Sequence, residues 1–239
     1  MNSFLSQKWL KIPVFLACLV PLGLLILAAF HDGAGQLIHT DKTFSNIFPS
    51  LTLGANPVQF IQHATGDWTL RFLIITLAIT PFRKLLHLPA LIRFRRMTGL
   101  FAFFYVCLHF TTYLWPDQDF DVHAMIKDFA KRPFITMGYT GFLLMIPLAV
   151  TSTRGWIRRL GGKRWQWLHR AIYISAIAGV IHYAWLVKSD ERKPIQYAVM
   201  VGALLLYRVI AWIWPRRGAA RASGSAASSP QHPVTAESE

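Results

Sequence analysis

The sequence predicts an all-α integral membrane protein of six transmembrane helices, with both termini on the cytoplasmic side (N-in/C-in). Three observations carry that prediction. Of 239 residues, 54% are hydrophobic, with 17 Phe and 9 Trp, which is more than a soluble domain of this length needs for its core. Four long runs carry no Asp, Glu, Lys or Arg: Ile12 to Phe30, Met97 to Trp115, Phe134 to Thr153, and Ala171 to Val187. Each is near the roughly 17–25 residues that a helix needs to cross a hydrocarbon core. Finally, Lys and Arg concentrate on alternate connections, the signature of cytoplasmic loops. The net charge of +14 is therefore a topological signal and not a nucleic-acid surface.

The first run follows Lys8 and Lys11 and mimics a secretory signal. Its apolar length exceeds a signal core, so an uncleaved first span is expected. An outer connection over 31–67 is long for a loop, and its part-apolar stretch "TFSNIFPSLTLGANPVQFIQHATG" suits a segment lying on the membrane surface. A weaker second span, Trp68 to Phe82, carries Arg71 close enough to an interface to snorkel. The inner loop "RKLLHLPALIRFRR" leads to the third span. Pro116 and Pro133 bound a second outer loop holding the acidic "DQDFD". The fourth and fifth spans are joined by the basic "RGWIRRLGGKRWQWLHR", and the sixth, Ile195 to Trp214, carries Arg208 near its end. Cys18 and Cys107 lie inside spans without metal-ligand spacing and are read as packing residues. Residues 216–239 are rich in Ala and Ser and are expected to be a disordered cytoplasmic tail. No internal repeat stands out.

Nine histidines occur. His31, His39, His63 and His123 fall in outer connections, His87 in an inner one and His232 in the tail. His109, His169 and His182 belong to spans or their immediate ends, where an ionisable group is costly and usually functional. His169 and His182 share one helix. Their spacing gives a rise of about 20 Å and leaves them facing well apart, so they do not clasp one small ion. His109 lies about 18 Å into its own span, level with His182 on a parallel helix. Two level histidines on two helices suit axial ligation of a metal-centred planar cofactor. Haem iron accepts two neutral imidazoles while apolar side chains bury the porphyrin. His109 and His182 are the favoured pair. The competing reading for any single buried histidine is a structural hydrogen bond between helices. For His169, beside Trp167 and Arg170, an interfacial anchor and a ligand are both open. No Asp or Glu lies within a predicted span, which counts against a proton-coupled transporter. No HExxH, CxxC, GxSxG or Gly-rich phosphate loop supports soluble-type catalysis.

The stretches "NPVQFIQHATGDW", "LIRFRRMTGLFAFFYVCLHFTTYLW", "KRPFITMGYTGF", "LAVTSTRGWIRRLG" and "RWQWLHRAIYISAIAGVIHYAWLVK" occur in this order. Together they resemble the MsrQ (YedZ) family, the haem-binding membrane subunits of bacterial protein-methionine-sulfoxide reductase systems, within the ferric-reductase-like transmembrane group. The resemblance implies a multi-pass b-type cytochrome of the bacterial inner membrane, with residues 1–215 as its transmembrane haem-binding domain. It implies an electron-transfer subunit and not an enzyme in its own right. Electrons would come from the quinone pool or a cytoplasmic flavin reductase. They would go to a periplasmic molybdopterin methionine sulfoxide reductase, whose catalytic site repairs oxidised periplasmic proteins. The family is also described as binding FMN. Carried over by motif, His109, His169 and His182 are the haem-ligand candidates, and Arg95 and Arg96 of "RFRRMTGL" match arginines associated with flavin or quinone use. Two adjacent guanidiniums also suit an anionic phosphate on their own chemistry, or a positive-inside anchor.

The chain departs from the ferric-reductase pattern of two histidines on each of two helices. Arg96 stands where the partner of His169 would lie, so the resemblance supports at least one haem b, with His87 an unsupported second partner. A histidine-lined transporter or channel, and a non-redox membrane anchor for a partner, are the alternative function classes. Membrane lipid is an expected partner and nucleic acid is not.

Overall fold

The computed structural model describes residues 8–35, 56–187 and 192–213. The expected tail over 216–239, His39, His232 and much of the first outer connection lie outside the described residues. Every described element is helical. A 3-10 turn, Lys8–Leu10, leads into α1 (Lys11–Gly35). Then come α2 (Pro57–Leu85), a 3-10 turn Pro89–Leu91, and α3 (Ile92–Thr112), which runs on as a π turn over Tyr113–Asp117. A surface helix, α4 (Val122–Lys131), precedes α5 (Pro133–Val150). Two short helices, α6 (Arg154–Leu160) and α7 (Gly162–Leu168), lead to α8 (Ala171–Leu186), and α9 (Arg192–Ile213) closes the described chain.

Four of these are long and apolar enough to cross a membrane: Lys11–Ala29, Pro89–Trp115, Pro133–Val150 and Arg192–Ile213. The two other expected spans fall short for different reasons. α2 has 29 residues, but polar side chains such as Gln62, Asp67 and Arg71 dilute its apolar character. α8 has only 16 residues, about 24 Å of helix. Both are also central. α2 packs chiefly on α3, α8 packs chiefly on α5, and α9 lies across α8 and α2. Elements shielded by protein need not be apolar all round, because neighbouring helices satisfy their polar groups.

The second helix begins earlier than its hydropathy suggests. Asn56 caps it, its side chain accepting from the Gln59 N–H at 3.1 Å, and Pro57 occupies the first turn, where no intrahelical N–H bond is lost. His63 and Asp67, expected in an outer loop, are thus helical. Gly161, at φ 73°, makes the reversal between α6 and α7 that a side chain would resist.

The core gathers Leu70, Leu73 and Leu77 of α2, Phe101 and Tyr105 of α3, Met145 of α5 and Ala176 of α8. Elsewhere large apolar residues face outward, among them Phe15, Leu16, Leu143, Ile174, Leu206 and Ile210. Such an inverted surface is what a hydrocarbon solvent requires.

Candidate functional site

α3 and α8 bring His109 and His182 together. Their ring centroids lie 6.1 Å apart, with the planes at 81°. In each ring Nδ1 faces a backbone carbonyl of the helix packed alongside: His109 meets Gln62 O of α2 at 2.9 Å, and His182 meets Phe134 O of α5 at 2.7 Å. A carbonyl oxygen can only accept, so both Nδ1 atoms carry the proton and both Nε2 atoms keep a lone pair. That is the tautomer a metal-binding imidazole needs, and the carbonyl partner fixes the ring and raises its basicity.

The rings lie in the wall of a cavity of about 530 Å³ enclosed by α2, α3, α5 and α8. Its rim is polar, with Asn56, Gln59, His63 and Arg132, and its deep end is apolar, with the buried Leu70, Leu73 and Met145. Asp67 stands in the α2 wall, 4.0 Å from both Arg71 and Lys193. Ser175 lines the deep end, and its buried hydroxyl has no hydrogen-bond partner among the described residues.

Several features fit an amphipathic, metal-centred macrocycle. Among the described residues no group of three or more His, Cys, Asp or Glu could hold a metal ion. The cavity therefore offers two imidazoles and an apolar lining, a set that suits a metal carried in by its own macrocycle. His109 and His182 would hold the metal of such a group through their Nε2 atoms.

His169 sits elsewhere. It follows α7, before α8 begins, and its ring stacks on Trp165 at 3.8 Å. Nδ1 contacts Trp165 O at 3.1 Å, and Nε2 lies 3.5 Å from the Ser152 hydroxyl. Burial pushes its imidazole below the ordinary value, and the nearby positive charge of Arg95 adds to this in a smaller way. Arg95 and Arg96 point differently, as adjacent helical residues must: Arg95 is half-buried and Arg96 exposed. His87 is exposed in the turn after α2, with φ 52°.

The site thus joins two of the five residues singled out from sequence and leaves His169, Arg95 and Arg96 outside the cavity, with Arg95 near His169. Gln62, Phe134 and Ser175 were not singled out. The first two act through backbone carbonyls, which no side-chain pattern reveals. The "NP" at 56–57, a helix start, could have placed Gln62 and His63 on α2.

Residues 65–180 match the ferric reductase like transmembrane component family. The chain is similar to proteins named protein-methionine-sulfoxide reductase heme-binding subunit MsrQ. That of Herminiimonas arsenicoxydans is 51% identical over 210 residues, 87% of either chain. That of Azospira oryzae is 54% identical over 70% of this chain and 74% of its own. That of Ralstonia nicotianae is 46% identical over 90% and 89%. No solved structure matches the chain.

Proposed function

Because the chain belongs to the MsrQ family of protein-methionine-sulfoxide reductase heme-binding subunits, we propose that it is a b-type cytochrome of the bacterial inner membrane. In this reading it carries electrons from the quinone pool or a cytoplasmic flavin reductase to a periplasmic molybdopterin methionine sulfoxide reductase. The partner would reduce the sulfoxide, and this chain would prepare no bond-making chemistry of its own.

One observation carries the proposal: two imidazoles from different helices, 6.1 Å apart, each with Nδ1 bound to a carbonyl and Nε2 left to ligate. Haem supplies the one-electron iron couple when bound. The residues of the chain do the rest. His109 and His182 would hold the iron, and Gln62 O and Phe134 O hold the imidazoles. Leu70, Leu73, Met145 and Phe142 exclude water from the deep end. Arg132 and His63 place cationic or hydrogen-bonding capacity at the rim, where a macrocycle's carboxylates would meet solvent.

At the inner end, His169 with Arg95 is proposed as the entry side, where a second ligand with an anionic group such as FMN, or a quinone, would dock. Arg96 would contribute from the exposed flank. Six spans with both termini cytoplasmic complete the proposal. The arrangement of the fold supports it, since α2 and α8 lie beside the four apolar helices.

The test is the reduced-minus-oxidised visible spectrum of the purified protein from haem-replete cells. A b-type Soret and α-band are expected, and His109→Ala and His182→Ala should each abolish them. Full haem retention in either variant would rule out this pair. Replacing both Arg95 and Arg96 with Gln should slow reduction by quinol or flavin with the haem still bound. Unchanged reduction by both donors sinks the inner-site assignment.

A further inference from the structure

The two histidines are held by the same device, built twice. On α2, the carbonyl that His109 reaches belongs to Gln62, and the residue one helical turn later is Gly66. On α5, the carbonyl that His182 reaches belongs to Phe134, and one turn later stands Gly138. The sequence separations between carbonyl and histidine are 47 and 48 residues. In both cases consecutive long helices, α2 with α3 and α5 with α8, form the pair.

Helix geometry explains why glycine stands at that offset. Each Cα–Cβ bond tilts toward the helix N-terminus, so a side chain covers the turn before it. The residue at i+4 therefore overhangs the carbonyl of residue i. That carbonyl already accepts the i+4 N–H within the helix, and its second lone pair is open only if nothing overhangs it. A Cβ added at Gly66 would lie 3.2 Å from both Cε1 and Nδ1 of His109. One added at Gly138 would lie 2.8 Å from Nδ1 and 3.0 Å from Cε1 of His182. The atoms met are thus those beside the hydrogen bond. Other glycines in the bundle meet different groups: Gly99 meets Thr76 at 3.5 Å and Gly179 meets Leu70 at 3.0 Å.

We propose that Gly66 and Gly138 are positioning residues for the two ligand histidines, each opening a notch through which an imidazole reaches a helical carbonyl and is fixed in its metal-binding tautomer and orientation. This rests on the haem reading above. The effect would pass through ligand basicity. An Nδ1–H donated to a carbonyl makes Nε2 a stronger donor and favours the more highly charged ferric state. A methyl in the notch pushes the ring off its acceptor and weakens that preference.

The experiment compares wild type, Gly138→Ala, Gly66→Ala and a control, Gly202→Ala, whose Cβ has nothing within 4 Å. Haemin titration of the apo-protein in detergent gives affinity, potentiometry gives the midpoint, and low-spin EPR reports ligand orientation. Gly138→Ala should bind haem about tenfold or more weakly, with a raised midpoint and a shifted largest g-value. Gly66→Ala should change in the same direction by less, following 3.2 against 2.8 Å. Gly202→Ala should match wild type. If Gly138→Ala fails to elute monodisperse, the milder Gly66→Ala decides. Wild-type affinity, midpoint and g-values in the folded notch variants overturn the inference while leaving the haem reading intact. Wild-type protein that binds no haem ends both.

Discussion

Tyr105 and Arg208 each bind a backbone group beside a proline inside a helix. Pro21 interrupts α1, and next to it the buried Tyr105 hydroxyl accepts from Leu22 N–H at 3.1 Å and donates to Cys18 O at 3.0 Å. The side chain is inserted into the helical ladder. Pro81 in α2 has no N–H for the Leu77 carbonyl one turn earlier, and Arg208 of α9 supplies a guanidinium donor to it at 2.7 Å while bonding Tyr173 at 2.9 Å. Arg208→Met should orphan that carbonyl and cost about 1–3 kcal/mol, read as a lower thermal midpoint. An unchanged midpoint would show that the bond has no net worth. Tyr105→Phe should cost about 1 kcal/mol, seen as faster proteolysis of α1. The histidines were legible at this scale because an ionisable group in an apolar run is conspicuous. Their acceptors were not, because Gln62 and Phe134 act through atoms that every residue has.

α2 shows how an element can be visible in the sequence with its boundary misplaced. Hydropathy begins it at Trp68, whereas the capping chemistry of Asn56 and Pro57 begins it eleven residues earlier. The additional turns carry Gln62, His63 and Gly66, so the misplaced boundary hid half of the site. Asn56→Ala should cost about 1 kcal/mol, and hydrogen exchange should report it as faster opening of the first turns of α2. Exchange at the wild-type rate would deny the cap a role. α4 is a second such element: Asp121 caps it through the His123 and Ala124 N–H groups, while Val122, Ile126 and Phe129 remain exposed. The repeated carbonyl–glycine device was likewise invisible as an internal repeat. Only the offset between two residues recurs, and the residues around it differ.

For the whole molecule, Arg95 at the start of α3 lies near His169 just before α8, whereas His109 and His182 lie toward the opposite ends of those helices, in a cavity lined by Asn56, Gln59, His63 and Arg132. Reporter fusions at residues 7 and 216 should both read cytoplasmic, and a periplasmic reading for either would break the proposed six-span order. Haem that binds only the folded bundle should stabilise it by about 2.7 kcal/mol at a hundredfold excess over its dissociation constant. A thermal midpoint indifferent to haem would contradict binding within the bundle. The sequence by itself determined the all-helical class, the membrane setting and the identity of the two central histidines, since hydropathy and buried charge act locally along the chain. Only the tertiary structure decided which carbonyls those imidazoles reach, that Arg95 turns inward while Arg96 does not, and that Gly66 and Gly138 stand beside the carbonyls of Gln62 and Phe134. Those outcomes depend on how one helix is rotated against another, and packing of whole faces sets that rotation.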